Sequence, residues 1–240
     1  MTIEAQLKAL RYECTFGLMD HIEVIHIRGD DAFDVVDAIC PVELYLRDGQ
    51  MQPTLLLSED GRVFSDLTIC RDDESFIFLS EGPSSAELIA YIRQHAPDGL
   101  DYEIIDLRTH YSLVGVSGPF SWEVIANLVG PEVIGMPYLS FFREQNCTYF
   151  RSGKTGEYGY NILVAHAAVD DLVSTLSQMK VPLGLTAIEL EALDRAAFEN
   201  GFYCIRGHGL ADISPIELQL QWRLCYEKEF PGSEALLEEL

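Results

Sequence analysis

The 240-residue chain carries 16 Lys and Arg against 39 Asp and Glu, a formal net charge of −23, and 48% of its residues are hydrophobic. A chain of this length and apolar content can bury a sizeable core, which excludes a disordered tail. The negative charge repels phosphate backbones and anionic lipid surfaces, so nucleic acid and membrane surfaces are not expected as partners.

The six cysteines are widely scattered and form no C-x-x-C pair, and no histidine stands near them at metal-ligand spacing. This pattern predicts free thiols in a reducing compartment and no metal site. The N-terminal residues contain no long apolar segment, and no uncharged apolar run reaches membrane-spanning length. These features predict a soluble cytoplasmic protein.

The first half of the chain mixes short strands with helices. Residues 2–15 carry Ile3, Leu7 and Leu10 on one face, which predicts an amphipathic helix. A second helix is predicted to follow Asp31, and a third to follow Ser84 and Ser85. The segments rich in β-branched and apolar residues, each bounded by turn residues, predict strands at 21–28, 44–46, 54–58, 62–70 and 75–80.

The second half repeats this mixture without a strict strand-helix-strand order. Apolar residues at helical spacing predict helices at 121–129, 168–179 and 186–200, the last ended by Gly201. Strands are predicted at 102–107, 110–116, 147–150 and 158–164. Hairpins and helices without regular βαβ alternation favour the α+β class. The acidic residues 233–240 are either a last helical turn or a frayed tail, and they are expected to be solvated.

Five short motifs occur in order along the chain: GRVFSDLTI (61–69), VSGP (116–119), TGEYGY (155–160), SPIELQLQW (214–222) and KEFPG (228–232). Together they resemble the signature of the folate-binding domain of the glycine cleavage T-protein (aminomethyltransferase) superfamily. The resemblance covers about residues 15–232. It implies an α+β fold of two interlocked sheet-plus-helix lobes, here approximately 15–108 and 109–232, within a single folate-binding-type module of residues 1–240.

The chain is shorter than full-length members of that superfamily and is expected to lack their C-terminal barrel. The resemblance implies tetrahydrofolate as cofactor and a small molecule as donor substrate. The shorter ends of this chain are expected to expose apolar surface, which a homo-oligomer could cover.

Asp66 is the candidate catalytic residue. It stands within a predicted strand between Phe64 and Leu67, where an acidic side chain is costly unless it faces a polar cavity or finds partners. It falls on the second Asp of the family's D-D-L pair, which implies an acid/base or orienting carboxylate beside the folate's reactive nitrogens. The first Asp of the pair is replaced by Ser65. An outward-facing Asp66 on a half-exposed strand is the structural alternative.

The glycine-rich stretch 151–164 is the candidate cofactor site, because glycines allow a close approach of backbone to ligand. A hairpin that binds nothing is the alternative. In the family this motif ends in a glutamate that accepts hydrogen bonds from the pterin, and Asn161 replaces it here; an amide cannot reproduce a bidentate acceptor. Glu217 is either a pocket residue or a brace for the fold. The resemblance implies cofactor-binding roles for Lys154, Thr155, Gly156, Glu157, Tyr158, Tyr160, Asn161 and Glu217.

Three functions follow from these observations. The first is a tetrahydrofolate-dependent transferase that moves a methyl or methylene group from a small amine, ether or thioether donor. The second is a folate-binding or regulatory module without turnover, which Asn161 favours. The third is a pocket that binds no folate and catalyses another reaction on a small molecule. Binding without turnover favours the second function, and the absence of folate binding favours the third.

Overall fold

The computed structural model describes residues 1–182, 184–208 and 213–239. The helices are α1 Ile3–Tyr12, α2 Ala32–Ile39, α3 Ser85–His95, α4 Ser121–Val129, α5 His166–Gln178, α6 Leu190–Glu199, α7 Ile205–His208 and α8 Ser233–Glu238. The strands are β1 Cys14–Leu18, β2 Glu23–Arg28, β3 Met51–Leu57, β4 Val63–Asp72, β5 Ser75–Glu81, β6 Glu103–Asp106, β7 Tyr111–Ser117, β8 Ser140–Glu144, β9 Cys147–Arg151, β10 Gly159–Ala165 and β11 Leu185–Ala187. The predicted α+β class is confirmed.

The chain divides into two compact units, and each is built from two separate segments. Unit 1 takes in residues 1–20 and 110–204, and unit 2 takes in 21–109 together with the described residues of 205–240. The predicted lobes, 15–108 and 109–232, meet within one residue of the observed change at 109/110, but they are continuous, whereas residues 1–20 join unit 1 and the described residues from 205 onward join unit 2. The reason is strand pairing, since β1 near the N-terminus pairs with β7 and with β11 far along the chain.

Unit 1 is organised around a sheet with the strand order β11-β1-β7-β10-β9-β8. Its strands pair antiparallel except for β1 and β11, which pair parallel. Helices α4 and α5 contribute Val124, Ile125 and Leu176 to a core that includes Val116 and Tyr160. Residues 14–15 were predicted as helix, but they begin β1, because pairing with two distant strands prevails over the local helical pattern.

Unit 2 is organised around an antiparallel sheet with the order β3-β4-β5-β2-β6. Helices α2 and α3 pack on one face of this sheet, against a core that contains Leu67, Ile69, Phe76 and Phe78. The sequence predicted a cap for α3 at Ser84 and Ser85, and in the structure Ser84 is the capping residue, in a capping box with Glu87. Strands β4 and β5 lie in the interior of the sheet, so each is hydrogen-bonded to a neighbouring strand along both edges.

Residues 44–46, predicted as a strand, are irregular in the structure. Leu44 and Leu46 are partly buried against the core of unit 2. Their apolar character is therefore explained by packing, without a partner strand. No helix in the described ranges combines the length and the apolar character needed to cross a membrane.

The C-terminal segment is held against unit 2 by buried contacts. Lys228 Nζ donates hydrogen bonds to Asp37 Oδ1 at 2.6 Å and to the Val42 carbonyl at 3.0 Å. Leu236 on α8 is fully buried. Gly61 packs closely against the backbone of Leu236, because a Cβ added at Gly61 would stand 3.1 Å from the Leu236 nitrogen. Residues 233–238 are therefore a docked helix rather than a frayed tail.

We predict that Lys228→Met lowers the free energy of unfolding by about 2 kcal/mol, because it removes the hydrogen bonds that a charged side chain, only 11% exposed, donates to Asp37 and to the Val42 carbonyl. The matched control is Arg28→Met, which breaks the exposed ion pair with Glu103 and should cost less than about 1 kcal/mol. Urea denaturation of both variants measures the difference. Equal losses would show that Lys228 does not hold the segment.

Candidate functional site

Asp66 lies on β4, between β3 and β5, where it is directly opposite Leu55 and Glu81. Side chains alternate along a strand, so Asp66 faces away from the side on which Leu67 and Ile69 pack against α2 and α3. The residue is only 5% exposed, which contradicts the alternative of an outward-facing surface aspartate. A carboxylate buried to this degree needs a cation or several hydrogen-bond donors.

Arg223 supplies a cation. Its Nη1 donates to Asp66 Oδ1 at 2.9 Å, and the two side chains are 9% and 4% exposed. The backbone of Arg223 is held as well, because its carbonyl accepts a hydrogen bond from Thr54 Oγ1 at 3.3 Å. Removing one partner of a buried pair of this kind leaves the other charge uncompensated.

A second buried carboxylate stands beside the first. Glu81 on β5 is 6% exposed, lies directly opposite Asp66 in the register of the sheet, and forms an ion pair with Arg206 on α7. Like charges directly opposite each other destabilise a sheet, and one arginine for each carboxylate offsets that repulsion. Sequence reasoning missed Glu81, although a glutamate that ends the apolar run FIFLSE carried the same signal as Asp66.

Ser65, which stands where the family has its first Asp, points to the opposite side of β4. It is fully buried, its Oγ lies 2.7 Å from Ser80 Oγ, and it donates to the Glu81 carbonyl at 3.3 Å. The hydroxyl is satisfied within the sheet, so Ser65 braces β4 against β5 and adds no charge.

In unit 1, the predicted cofactor stretch forms a loop that ends at the start of β10. The buried Thr155 anchors this loop, because its carbonyl accepts hydrogen bonds from Arg11 Nη1 and from Asn200 Nδ2. Arg11 also pairs with Glu157 at 3.2 Å. Gly118, in the motif VSGP, donates its N–H to the Tyr158 carbonyl at 2.9 Å. Two of the sequence motifs therefore meet in one set of contacts.

The remaining side chains of this loop and of β10 differ in exposure. Tyr158 is 52% exposed with the Arg151 guanidinium 5.4 Å from its ring centroid, whereas Tyr160 is buried in the core of unit 1 and burial raises the pKa of its hydroxyl. Lys154 is half-buried. Asn161 is half-buried and donates to Ser152 Oγ at 3.2 Å. Their roles as cofactor ligands stay predictions.

Glu217 lies in unit 2 and braces a turn. Its Oε2 accepts from the Ser214 N–H at 2.9 Å, while its own N–H donates to Ser214 Oγ at 3.3 Å. Arg62 also approaches the same carboxylate oxygen at 3.5 Å. This reciprocal pattern resembles a capping box and supports the bracing role that the sequence left open.

The predicted site residues thus fall into two groups, each within one unit. Unit 2 holds Asp66 and Glu217, and unit 1 holds residues 154–161. Across the described ranges, no three His, Cys, Asp or Glu side chains are grouped so that they could hold a metal ion. Among the described residues of unit 2, Asp66 and Glu81 bring two buried carboxylates together, each paired with an arginine.

An α+β chain with these motifs and this buried aspartate corresponds to a known domain type. The profile of the GCVT N-terminal domain matches residues 1–228. The chain therefore belongs to the GCVT N-terminal domain family, as the motifs indicated.

Several curated relatives carry the name aminomethyltransferase. That of Alkaliphilus oremlandii is 27% identical over 99% of this chain, that of Mycobacterium avium is 31% identical over 93%, and that of Chlorobium limicola is 31% identical over 97%. The chain spans 66%, 62% and 67% of the length of these three relatives. Their activity and substrates are therefore matters of proposal for this chain.

The fold is also that of a solved structure. The crystal structure of glycine cleavage system aminomethyltransferase T from Bartonella henselae superposes with a TM-score of 0.89 at 24% identity. The match covers 99% of this chain and 66% of that protein. The fold predicted from the motifs is confirmed.

We predict that Gly156→Ala destabilises unit 1 more than Gly201→Ala does. Both glycines have positive φ, +79° and +69°, which costs an alanine about 1–2 kcal/mol. A Cβ at Gly156 would also stand 2.7 Å from the Asn200 side chain, whereas nothing lies within 4 Å of one at Gly201. Displacing Asn200 breaks its bond to Thr155, adding about 1 kcal/mol. Denaturant unfolding checks this order, and equal costs would contradict it.

Proposed function

We propose that this domain binds tetrahydrofolate and transfers a methyl or methylene group to it from a small amine, ether or thioether donor. The observation that carries the proposal is the Asp66 carboxylate, which lies on an interior strand, is 5% exposed and pairs with Arg223. Membership of the GCVT N-terminal domain family and the relatives named aminomethyltransferase support the reaction class.

Asp66 accepts hydrogen bonds from the N–H groups of the ligand and orients them. A buried acceptor in a site of low dielectric interacts more strongly than one in water. Tetrahydrofolate, when bound, supplies the nitrogen that receives the one-carbon group. The carboxylate can also accept the proton that this nitrogen loses as it gains the one-carbon group, and the departing donor takes up a proton in turn. These roles require no metal and no covalent nucleophile.

The residues fit tetrahydrofolate in one respect and depart from the family in another. Asp66 provides the buried acceptor. Asn161 does not provide the carboxylate that recognises the pterin in the family, and its amide is engaged with Ser152 at 3.2 Å. We therefore expect weaker binding of tetrahydrofolate than a glutamate at residue 161 would give.

A second candidate function is a folate-binding module without turnover. The hydrogen bond from Asn161 to Ser152 favours it, because a pterin must then compete with a contact inside the loop. Turnover distinguishes the candidates. A protein that binds tetrahydrofolate and accelerates no transfer from methylated or aminomethylated donors is the binding module.

We predict that calorimetric titration with tetrahydrofolate detects binding by the wild-type protein and at least about tenfold weaker binding by Asp66→Asn. The matched control is Asp37→Asn, which removes a carboxylate charge from another ion pair of unit 2, that with Lys228, and should leave the affinity unchanged. Asn161→Glu should tighten binding about tenfold by restoring a second acceptor.

The titration results test the proposed site and folate binding separately. Loss of binding in Asp66→Asn but not in Asp37→Asn supports the proposed site. Equal affinities for all variants would place tetrahydrofolate elsewhere and remove Asp66 from the mechanism. Absence of heat and of thermal stabilisation for wild type and Asn161→Glu alike would reject folate binding and favour a pocket for an unrelated small molecule.

A further inference from the structure

We propose that Arg223 is the positioning residue of Asp66, and that its guanidinium fixes the carboxylate in the orientation in which it accepts hydrogen bonds from ligand N–H groups. This inference rests on the proposed function. It adds a residue that lies outside the quoted motifs, since Arg223 directly follows the last residue of SPIELQLQW.

The segment before Arg223 holds the side chain in place. Ser214 and Glu217 close the turn with their reciprocal hydrogen bonds, the Leu220 N–H donates to the Pro215 carbonyl at 2.8 Å, and the Arg223 N–H donates to the Leu220 carbonyl at 2.9 Å. These bonds fix the backbone of Arg223, and the hydrogen bond to Asp66 Oδ1 holds its guanidinium. The motif SPIELQLQW therefore places Arg223 beside Asp66.

The Arg223 pair is poorly suited to a purely stabilising role. Its Nε is buried and finds no hydrogen-bond partner in the described part of the chain, and an unsatisfied buried N–H costs about 1–3 kcal/mol. The neighbouring Trp222 ring, 5.1 Å from the guanidinium, is itself 68% exposed. Apolar side chains of similar volume commonly replace a buried ion pair at no loss of stability. A buried ion pair with an unsatisfied N–H group is typical of a functional site.

The position of the pair explains what Arg223 does for Asp66. Glu81, directly opposite, repels the Asp66 carboxylate and is paired with its own cation, Arg206. Arg223 Nη1 holds Oδ1 at 2.9 Å through a charge-assisted hydrogen bond. A carboxylate held in this way accepts hydrogen bonds from a ligand with defined geometry.

The test is a double-mutant cycle on tetrahydrofolate affinity, measured by calorimetry on wild type, Arg223→Met, Asp66→Asn and the double variant. We expect Arg223→Met to weaken binding about tenfold, Arg223→Lys to recover most of the affinity, and the double variant to bind no more weakly than Asp66→Asn alone. Near-ultraviolet circular dichroism verifies that each variant is folded at the temperature used.

Lys228→Met is the matched control, because it removes another cation of the same C-terminal segment, one that is largely shielded from water and pairs with Asp37 instead of Asp66. It should lose stability and keep its affinity for tetrahydrofolate. If Arg223 has only a structural role, Arg223→Met should lose stability and keep its affinity, or its loss of affinity should add to that of Asp66→Asn. Either result overturns the proposal. Absence of binding by the wild-type protein rejects the proposed function and this inference with it. Wild-type binding that a folded Arg223→Met leaves unchanged rejects only the inference.

Discussion

The carboxylate of Asp66 requires a cation because it lies on an interior strand with almost no access to water. Strands β3 and β5 on either side supply none, and the cation comes from Arg223, 157 residues further along the chain. The C-terminal segment is therefore tied to the sheet of unit 2 by charge as well as by apolar contacts. Lys228 and the buried Leu236 hold the same segment at other points, so several separate contacts fasten it.

Local patterns predicted the hairpin β4–β5 and helix α3 well, because their strands, turn and capping residues are adjacent in sequence. They failed at β1, where residues 14 and 15 continue a helical pattern and only pairing with β7 and β11 makes them a strand. The same distinction applies to the site. Asp66 was singled out by the charge within its apolar strand together with the match of GRVFSDLTI to the family motif. Its pairing with Arg223, like that of Glu81 with Arg206, joins distant segments and leaves no local signal.

The glycine-rich loop shows why a motif alone does not distinguish binding from packing. The sequence suggested that its glycines let a ligand approach the backbone. In the structure Gly156 is approached by the Asn200 side chain, and a Cβ at Gly159 would stand 2.6 Å from the Ser152 carbonyl. Both glycines are thus required by contacts within unit 1. These contacts give the loop a defined shape, which a binding loop needs as much as a structural one does, and the exposed Tyr158 is the side chain this shape presents to solvent.

The charges around Asp66 restrict the chemistry of its ligand. Arg206 and Arg223 each face a carboxylate, so the two pairs sum to no net charge, in a chain whose overall charge is −23. A ligand that brought a carboxylate or phosphate to this face would gain little from arginines that are already paired, and it would be repelled by Asp66 and Glu81. A neutral or cationic group that offers N–H donors meets two fixed acceptors. By this electrostatic argument, an amine is a better match to unit 2 than an anionic donor.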